Sequence, residues 1–162
     1  NNKDINDILK IYNFHISNGL ASFEEKEVSY EAFKDLCKNI LKLNLPFIVC
    51  EKNKKVIAFT YLNKFRNKSG YRYAFENSIY VDINFTGMGI GSALLKKLIE
   101  VSKRNTNIKT IIAVIGSNNS KASIKIHKKN RFKMIGTLKQ IGFKKNQWLD
   151  STYMQRIINE KD

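Results

Sequence analysis

Cysteine, histidine, proline and acidic residues are all scarce in this chain of 162 residues. Its two cysteines, Cys37 and Cys50, both in apolar surroundings, are too few for a disulfide framework. No cluster of Cys and His has metal-ligand spacing, so no metal is expected. The two thiols read as reduced side chains in or near a core, which fits a reducing cytoplasm. No apolar run is long enough for a membrane-spanning helix, and no membrane partner is expected. No basic start, apolar stretch and small-residue cleavage site marks a secretory leader. The sequence opens Asn1-Asn2-Lys3 without a methionine. Repeats, low-complexity tracts and linkers are also lacking. With 43% hydrophobic residues the expectation is one domain over residues 1–162, with a proper core.

Acid is scarce relative to base: 14 Asp and Glu against 29 Lys and Arg, a formal net charge of +15. Most of the excess is lysine. A nucleic-acid partner would explain it. However, the lysines are spread along the whole chain, and Lys, Asn and Ile are abundant together. That reads as a compositional bias and a solvated basic surface, with no nucleic acid as partner. A positive field would still draw in a polyanionic small ligand.

Periodicity divides the chain. Ile5, Ile8, Ile11, Tyr12 and Ile16 have helical spacing within Asp4 to Ser17. Ser29 reads as the N-cap of a second helix reaching Leu43, with the only proline, Pro46, beyond it. Phe47 to Glu51 and Lys55 to Asn63 read as an antiparallel hairpin about Lys52-Asn53-Lys54. Arg72 to Ile83 reads as a long strand and Ile90 to Lys103 as an amphipathic helix. Thr110 to Ile115 is an almost continuous apolar strand, as in a buried central position. Lys121 to Lys129 reads as a short helix. Phe132 to Gln140 and Tyr153 to Ile158 read as strands, with Gly142 to Asp150 between them. The class predicted is α+β with a mixed sheet.

Between the long strand and its helix stands Thr86-Gly87-Met88-Gly89-Ile90-Gly91-Ser92. A glycine-rich turn opening a helix leaves backbone N–H groups without partners, at the positive end of the helix dipole. That is a ready site for phosphate or pyrophosphate. Glycine that merely permits a tight turn is the plainer alternative. A Rossmann fingerprint would need an acidic residue ending the next strand, and Thr110 to Ile115 has none. A Walker loop would need Gly-Lys-Ser/Thr, also missing. A pyrophosphate clamp remains, preceded by a strand bearing Glu76.

Together these segments resemble the GNAT-superfamily N-acetyltransferases, and within them the phosphinothricin (methionine sulfoximine) acetyltransferases. Ile11-Tyr12-Asn13 and Ala21-Ser22-Phe23-Glu24 are similar to that family's first helix and substrate loop. Tyr71 to Val81 is similar to its Tyr-Arg…Glu-x-Ser-Val-Tyr-Val strand. Ile112 to Gly116, with Ser123 and Ile126-His127, resembles its Ile-Ala-Val-Ile-Gly…Ser…Leu-His segment. Gly136-Thr137-Leu138, Gly142-Phe143-Lys144, Trp148-Leu149-Asp150 and Met154-Gln155 resemble its C-terminal signature. Departures are Thr86 where the loop has Gln or Arg, Arg131 where Gly precedes Phe132, and Ser120 where an Asn is usual, with Asn119 as its neighbour. The family's short first strand has no counterpart, which suggests that the sequence starts late.

The resemblance implies a GNAT fold: a mixed, mostly antiparallel central sheet flanked by helices. It also implies acetyl-CoA as cosubstrate and direct attack of a small amino acid's amine on the thioester. Glu76, flanked by Phe75 and Tyr73, is the candidate general base, since apolar surroundings raise a carboxylate's pKa; a structural carboxylate paired with Arg or Lys is the alternative. His127 is the candidate acid for the leaving thiolate, or a structural hydrogen-bonding residue. Ile79, Tyr80 and Val81 would pair with the pantetheine arm like an added strand. Thr86, Gly87, Met88, Gly89, Ile90, Gly91 and Ser92 would hold the pyrophosphate, with Asn119 and Ser123 nearby. Arg72 and Tyr73 are expected to face the acceptor, Arg72 suiting a carboxylate or phosphinate. Phe23 and Lys144 are candidates for the pocket wall. Trp148 reads as a core residue or a dimer contact, the latter favoured because the family resembled is dimeric. Three other readings stay open: a protein N-terminal or lysine acetyltransferase of the same fold, a basic nucleic-acid-binding domain without catalysis, and a CoA-binding relative that has lost catalysis.

Overall fold

Two helices come first, α1 (Asn2–Asn18) and α2 (Tyr30–Lys42), in a computed structural model that describes residues 2–20, 22–116 and 121–159. The i, i+3, i+4 spacing buries Ile8, Ile11, Tyr12 and Ile16 on one side of α1. The Ser29 hydroxyl caps α2, accepting the Ala32 N–H at 3.3 Å. Strands β1 (Phe47–Lys52) and β2 (Lys55–Lys64) form the predicted hairpin. Its two turn residues, Asn53 and Lys54, both have positive φ, the geometry that matches strand twist.

A further run of elements follows: β3 (Ala74–Val81), α3 (Ile90–Ser102), β4 (Thr110–Gly116), α4 (Lys121–Lys129), β5 (Lys133–Lys144) and β6 (Gln147–Ile157). The sheet has the order β1-β2-β3-β4-β6-β5. Only β3 and β4 run parallel; the other neighbours are antiparallel. Among the described residues no strand precedes α1. Helices α1 and α2 cover one face, where Phe33 of α2 meets Phe59 of β2 at 6.3 Å, both fully buried. Burying one such side chain stabilises by roughly 1.5–3 kcal/mol. Helix α3 covers the other face and packs on α4.

Three strands differ from the sequence reading. The stretch from Arg72 to Ile83 is shorter as a strand, because Ser69–Tyr71 and Ile83–Phe85 are tight 3-10 turns. Gly142 to Asp150 is not a connection. Here β5 and β6 continue to a two-residue turn at Lys145 and Asn146, both at positive φ. The turn carries no glycine to announce it.

One irregularity positions everything functional. β3 and β4 pair only through Ala74↔Thr110, Phe75↔Ile111 and Glu76↔Ile112. Beyond that they splay, while β3 stays paired to β2 as far as Val81 and β4 to β6 as far as Gly116. The facing edges of residues 77–81 and 113–116 therefore lack ladder partners, and buried backbone polar groups require partners.

Candidate active site

A cavity of about 490 Å³ occupies the splay and is lined from both faces of the sheet. Period-2 alternation divides the labour. Glu76, Ser78 and Tyr80 point toward α1 and α2, opposite Asn63, Tyr61 and Phe59 of β2 in register. Asn77 and Ile79 point toward α3 and α4. The loop Ser22-Phe23-Glu24 closes the α1–α2 side.

On that side the wall is aromatic and hydroxyl-rich. Tyr12 stands edge-on to Tyr80 at 5.0 Å, and Tyr80 stacks on Phe59 at 5.1 Å. Burial pushes the hydroxyls of Tyr12, Tyr61 and Tyr80 above the ordinary tyrosine value, so they stay protonated and available as donors. Glu76 sits among them, half-buried. Burial raises its carboxyl above the usual value, and the nearby Arg66 guanidinium opposes the rise. A carboxylate whose pKa is raised in this way holds a proton more readily than one in water.

On the other side, His127 of α4 is 3% exposed and has both ring nitrogens engaged. Its Nδ1 lies 2.7 Å from the Ser123 carbonyl, which can only accept, so Nδ1 carries the proton. Its Nε2 then accepts from the Asn77 amide at 3.0 Å. Burial lowers its pKa, the Ser123 carbonyl resisting, and the ring is neutral. In this arrangement neither nitrogen is free to donate to a thiolate; His127 ties α4 to β3. The Asn77 Oδ1 is buried without a hydrogen-bond donor, an unmet acceptor at the splay.

The glycine turn has the geometry of an anion cradle. Gly87 and Gly89 have φ of 77° and 80°, a region glycine enters without strain. A side chain there would meet nothing within 4 Å, so the space above the turn is open. Gly89 caps α3 with no side-chain hydrogen bond, and no acidic residue lies in the first turn. The N–H groups of Ile90, Gly91 and Ser92 thus point outward at the positive helix end. Gly91 rests on Ile79, Val81 and Ile126, bringing the helix start against β3. Thr86 spends its hydroxyl on the Ile83 carbonyl at 3.0 Å, and Met88 is exposed. His15 of α1 holds the end of β3 through the Val81 carbonyl, 2.7 Å from Nε2. These residues fit a ligand carrying a pyrophosphate and an extended amide arm: N–H groups for the first, and the open edges of β3 and β4 for the second.

Glu76, Ile79, Tyr80, Phe23, Ser123 and His127 thus come together at the cavity; Val81 and the glycine turn are outside its lining, and the turn reaches it through Gly91, which rests on Ile79. Arg72 and Tyr73 do not. They precede β3, the Arg72 guanidinium lies over the Tyr73 ring at 4.6 Å, and one of its nitrogens donates to the Ser69 carbonyl. Lys144 is not in the lining either. It is buried beneath the loop and donates to the Ser22 carbonyl at 2.7 Å, while the Phe23 ring fills the space that a side chain at Gly142 would need. Asn119 lies outside the described residues. Tyr61, Asn63 and Lys64 of β2 line the cavity and were missed by sequence reasoning. Their signal was the alternation Phe59, Tyr61, Asn63, readable only with the β2–β3 register in hand.

The sequence pattern of the acetyltransferase (GNAT) domain family matches residues 1–153. Phosphinothricin N-acetyltransferase of Alcaligenes faecalis is 33% identical over 159 residues, 98% of this chain and 80% of that protein. The L-methionine sulfoximine/L-methionine sulfone acetyltransferase of Salmonella typhimurium is 31% identical over 153 residues, 94% of this chain and 88% of that protein. A phosphinothricin acetyltransferase from Sinorhizobium meliloti, solved in complex with acetyl-CoA, superposes with a TM-score of 0.92 at 33% identity, covering 98% of this chain and 85% of that one. A ribosomal-protein-alanine N-acetyltransferase from Brucella melitensis superposes with a TM-score of 0.92 at 36% identity, covering 97% and 96%.

Proposed function

This chain belongs to the GNAT acetyltransferase family and is an acetyl-CoA-dependent N-acetyltransferase, and we propose that its acceptor is the amine of a small free amino acid or analogue, of the phosphinothricin or methionine sulfoximine type. The observation that carries the reading is the cavity at the splay, with Glu76 on its acceptor wall and the glycine turn at its donor end. Residues 1–162 act as one domain in this proposal. The two thiols, Cys37 and Cys50, are free, which is consistent with the cytoplasm.

Acetyl-CoA supplies the acetyl group as a thioester. The N–H groups at the start of α3 would hold its pyrophosphate, and the open edges of residues 77–81 and 113–116 its amide arm. An N–H on the β3 edge is then placed to stabilise charge developing on the carbonyl oxygen. The acceptor enters from the α1–α2 face. Glu76, directly or through one water, takes the proton that the attacking amine must lose. The buried tyrosine wall keeps bulk water from the reacting groups. His127 and Asn77 fix α4 against β3 and so set the width of the splay.

The Brucella relative's name favours a second reading, acetylation of a protein N-terminus. The loop Ser22-Phe23-Glu24 across the cavity supports the small acceptor instead. Release of CoA thiol from acetyl-CoA, measured against free amino acids and an N-terminal alanine peptide, separates the two. Turnover on methionine sulfone, methionine sulfoximine or phosphinothricin is expected; turnover on the peptide alone would reject the proposal. A homodimer is part of the same reading. The edge strand β5 and its partner expose Ile135, Leu138, Ile141, Phe143 and Trp148, the last at 61%. Sedimentation of the protein as a monomer at micromolar concentration would refute that part.

A further inference from the structure

The small-acceptor reading leans on the segment Ser22-Phe23-Glu24 across the cavity, and the inference below rests on that reading. Three residues outside the cavity lining hold this segment in place. One is on α1, where the chain leaves the segment. The Asn13 side chain donates to the Val28 carbonyl at 3.0 Å and accepts the Val28 N–H at 2.9 Å, so it satisfies both backbone groups of one residue, as a neighbouring strand would. The other two are on β5. Lys144, 2% exposed, donates through Nζ to the Ser22 carbonyl at 2.7 Å. Gly142 lies two residues earlier, on the same side of the strand. A Cβ there would stand 2.3 Å from the Phe23 ring, closer than a side-chain carbon and a ring can approach. The backbone at Gly142 does not have positive φ, so the close approach is what demands glycine. The segment also has its own brace, the Ser22 hydroxyl accepting the Glu24 N–H at 3.2 Å.

A free amino acid that presents its amine to Glu76 ends at its α-carboxylate. A peptide presented the same way continues past that carbon, and its chain must leave the cavity on the acceptor side, where Ser22, Phe23 and Glu24 stand. The room left for it depends on how firmly those residues are held. We propose that Asn13, Gly142 and Lys144 are positioning residues that set acceptor size. By pinning the segment from α1 and from β5 they admit a free amino acid and exclude a chain that runs on. Gly142 and Lys144 act through Phe23 and Ser22, and Asn13 through Val28.

The test measures kcat/KM by CoA-thiol release for methionine sulfone and for an N-terminal alanine peptide, at saturating acetyl-CoA. The variants are Gly142→Ala, Asn13→Leu, Phe23→Ala and the double variant Phe23→Ala with Gly142→Ala. Calorimetric binding of CoA reports that each has folded. Gly142→Ala pushes the Phe23 ring aside, and Asn13→Leu cuts the other mount with a side chain of similar size. Each should lower the ratio of amino-acid to peptide kcat/KM by about tenfold, the scale on which small changes of pocket shape discriminate acceptors. The change should come mostly through the two KM values, with kcat little altered. Phe23→Ala alone should lower the ratio too, and adding Gly142→Ala to it should lower it no further, because the new methyl then has no ring to meet. A merely structural role for Gly142 would leave its effect intact in the Phe23→Ala background, and that result overturns the inference. Should one mount variant fail to bind CoA, the other and Phe23→Ala decide. Turnover of the peptide alone, or of neither acceptor, by wild type rejects the small-acceptor reading and the inference with it. Turnover of methionine sulfone by wild type, with the ratio unmoved in the folded variants, rejects the inference only.

Discussion

Replacing Glu76 by glutamine should cost activity and gain stability, and the two effects come from one fact. The side chain is half-buried, and burial holds its carboxyl above the ordinary value of 4.5, against the opposing pull of Arg66. Glutamine keeps the shape and can still accept a hydrogen bond, but cannot take a proton. A positioned base contributes about 10²–10⁴-fold, so kcat should fall by that factor, or roughly 2.7–5.4 kcal/mol of barrier. Stability moves the other way. As pH rises past about 4.5 the unfolded chain releases the Glu76 proton first. From there up to the raised folded-state value, the ionised form progressively favours unfolding. Above that raised value wild type therefore carries the full penalty and Glu76→Gln carries none, whereas below about pH 4.5 the two should melt alike. The assays are kcat by CoA-thiol release and melting temperature across pH. A variant within about tenfold of wild-type kcat, or one less stable than wild type at neutral pH, would refute the reasoning.

Other perturbations address the remaining parts of the site. Gly89→Val forces a branched side chain to a φ of 80°, costing about 1–2 kcal/mol or more; the KM for acetyl-CoA should rise roughly tenfold, seen in initial rates, with the acceptor KM little changed. Lys144→Met frees the Ser22 carbonyl and loosens the loop on β5, so the acceptor KM should rise several-fold while the acetyl-CoA dissociation constant, by calorimetry, stays put. His127 is held neutral, its pKa pushed below 6.5 by burial. Its contribution to stability is complete above about pH 6.5 and is lost as pH falls through the lowered value. His127→Gln should therefore flatten the fall in melting temperature on the acid side, and an unchanged slope would count against the neutral, doubly hydrogen-bonded ring.

The local elements were legible because local rules set them. The Ser29 cap, the Asn53-Lys54 turn and the glycine turn before α3 each sit where a single residue's chemistry dictates. Glu76 stood out by its place on the strand before that turn. What escaped was decided by long-range register. Nine residues, 65 to 73, join β2 to β3, too many for a turn type to fix the pairing. Thus Asn63 opposite Glu76 and Tyr61 opposite Ser78 could not be foreseen. Arg72 was expected at the acceptor, but the tight turn Ser69–Tyr71 ends just before it and leaves its guanidinium over Tyr73. Lys144 was expected in the pocket wall and supports that wall from behind, because β5 extends past Gly142. The splay of β3 from β4 left no mark in either strand's own sequence.

The central claim is that donor and acceptor meet at that splay beside Glu76. A crystal structure of the protein with CoA and methionine sulfone tests it most directly. The account predicts the pyrophosphate on the N–H groups of Ile90 to Ser92, the amide arm between residues 77–81 and 113–116, and the acceptor amine about 3 Å from the Glu76 carboxylate or one water away. An acceptor bound elsewhere, with Glu76 turned to Arg66 and no water path between them, would contradict it.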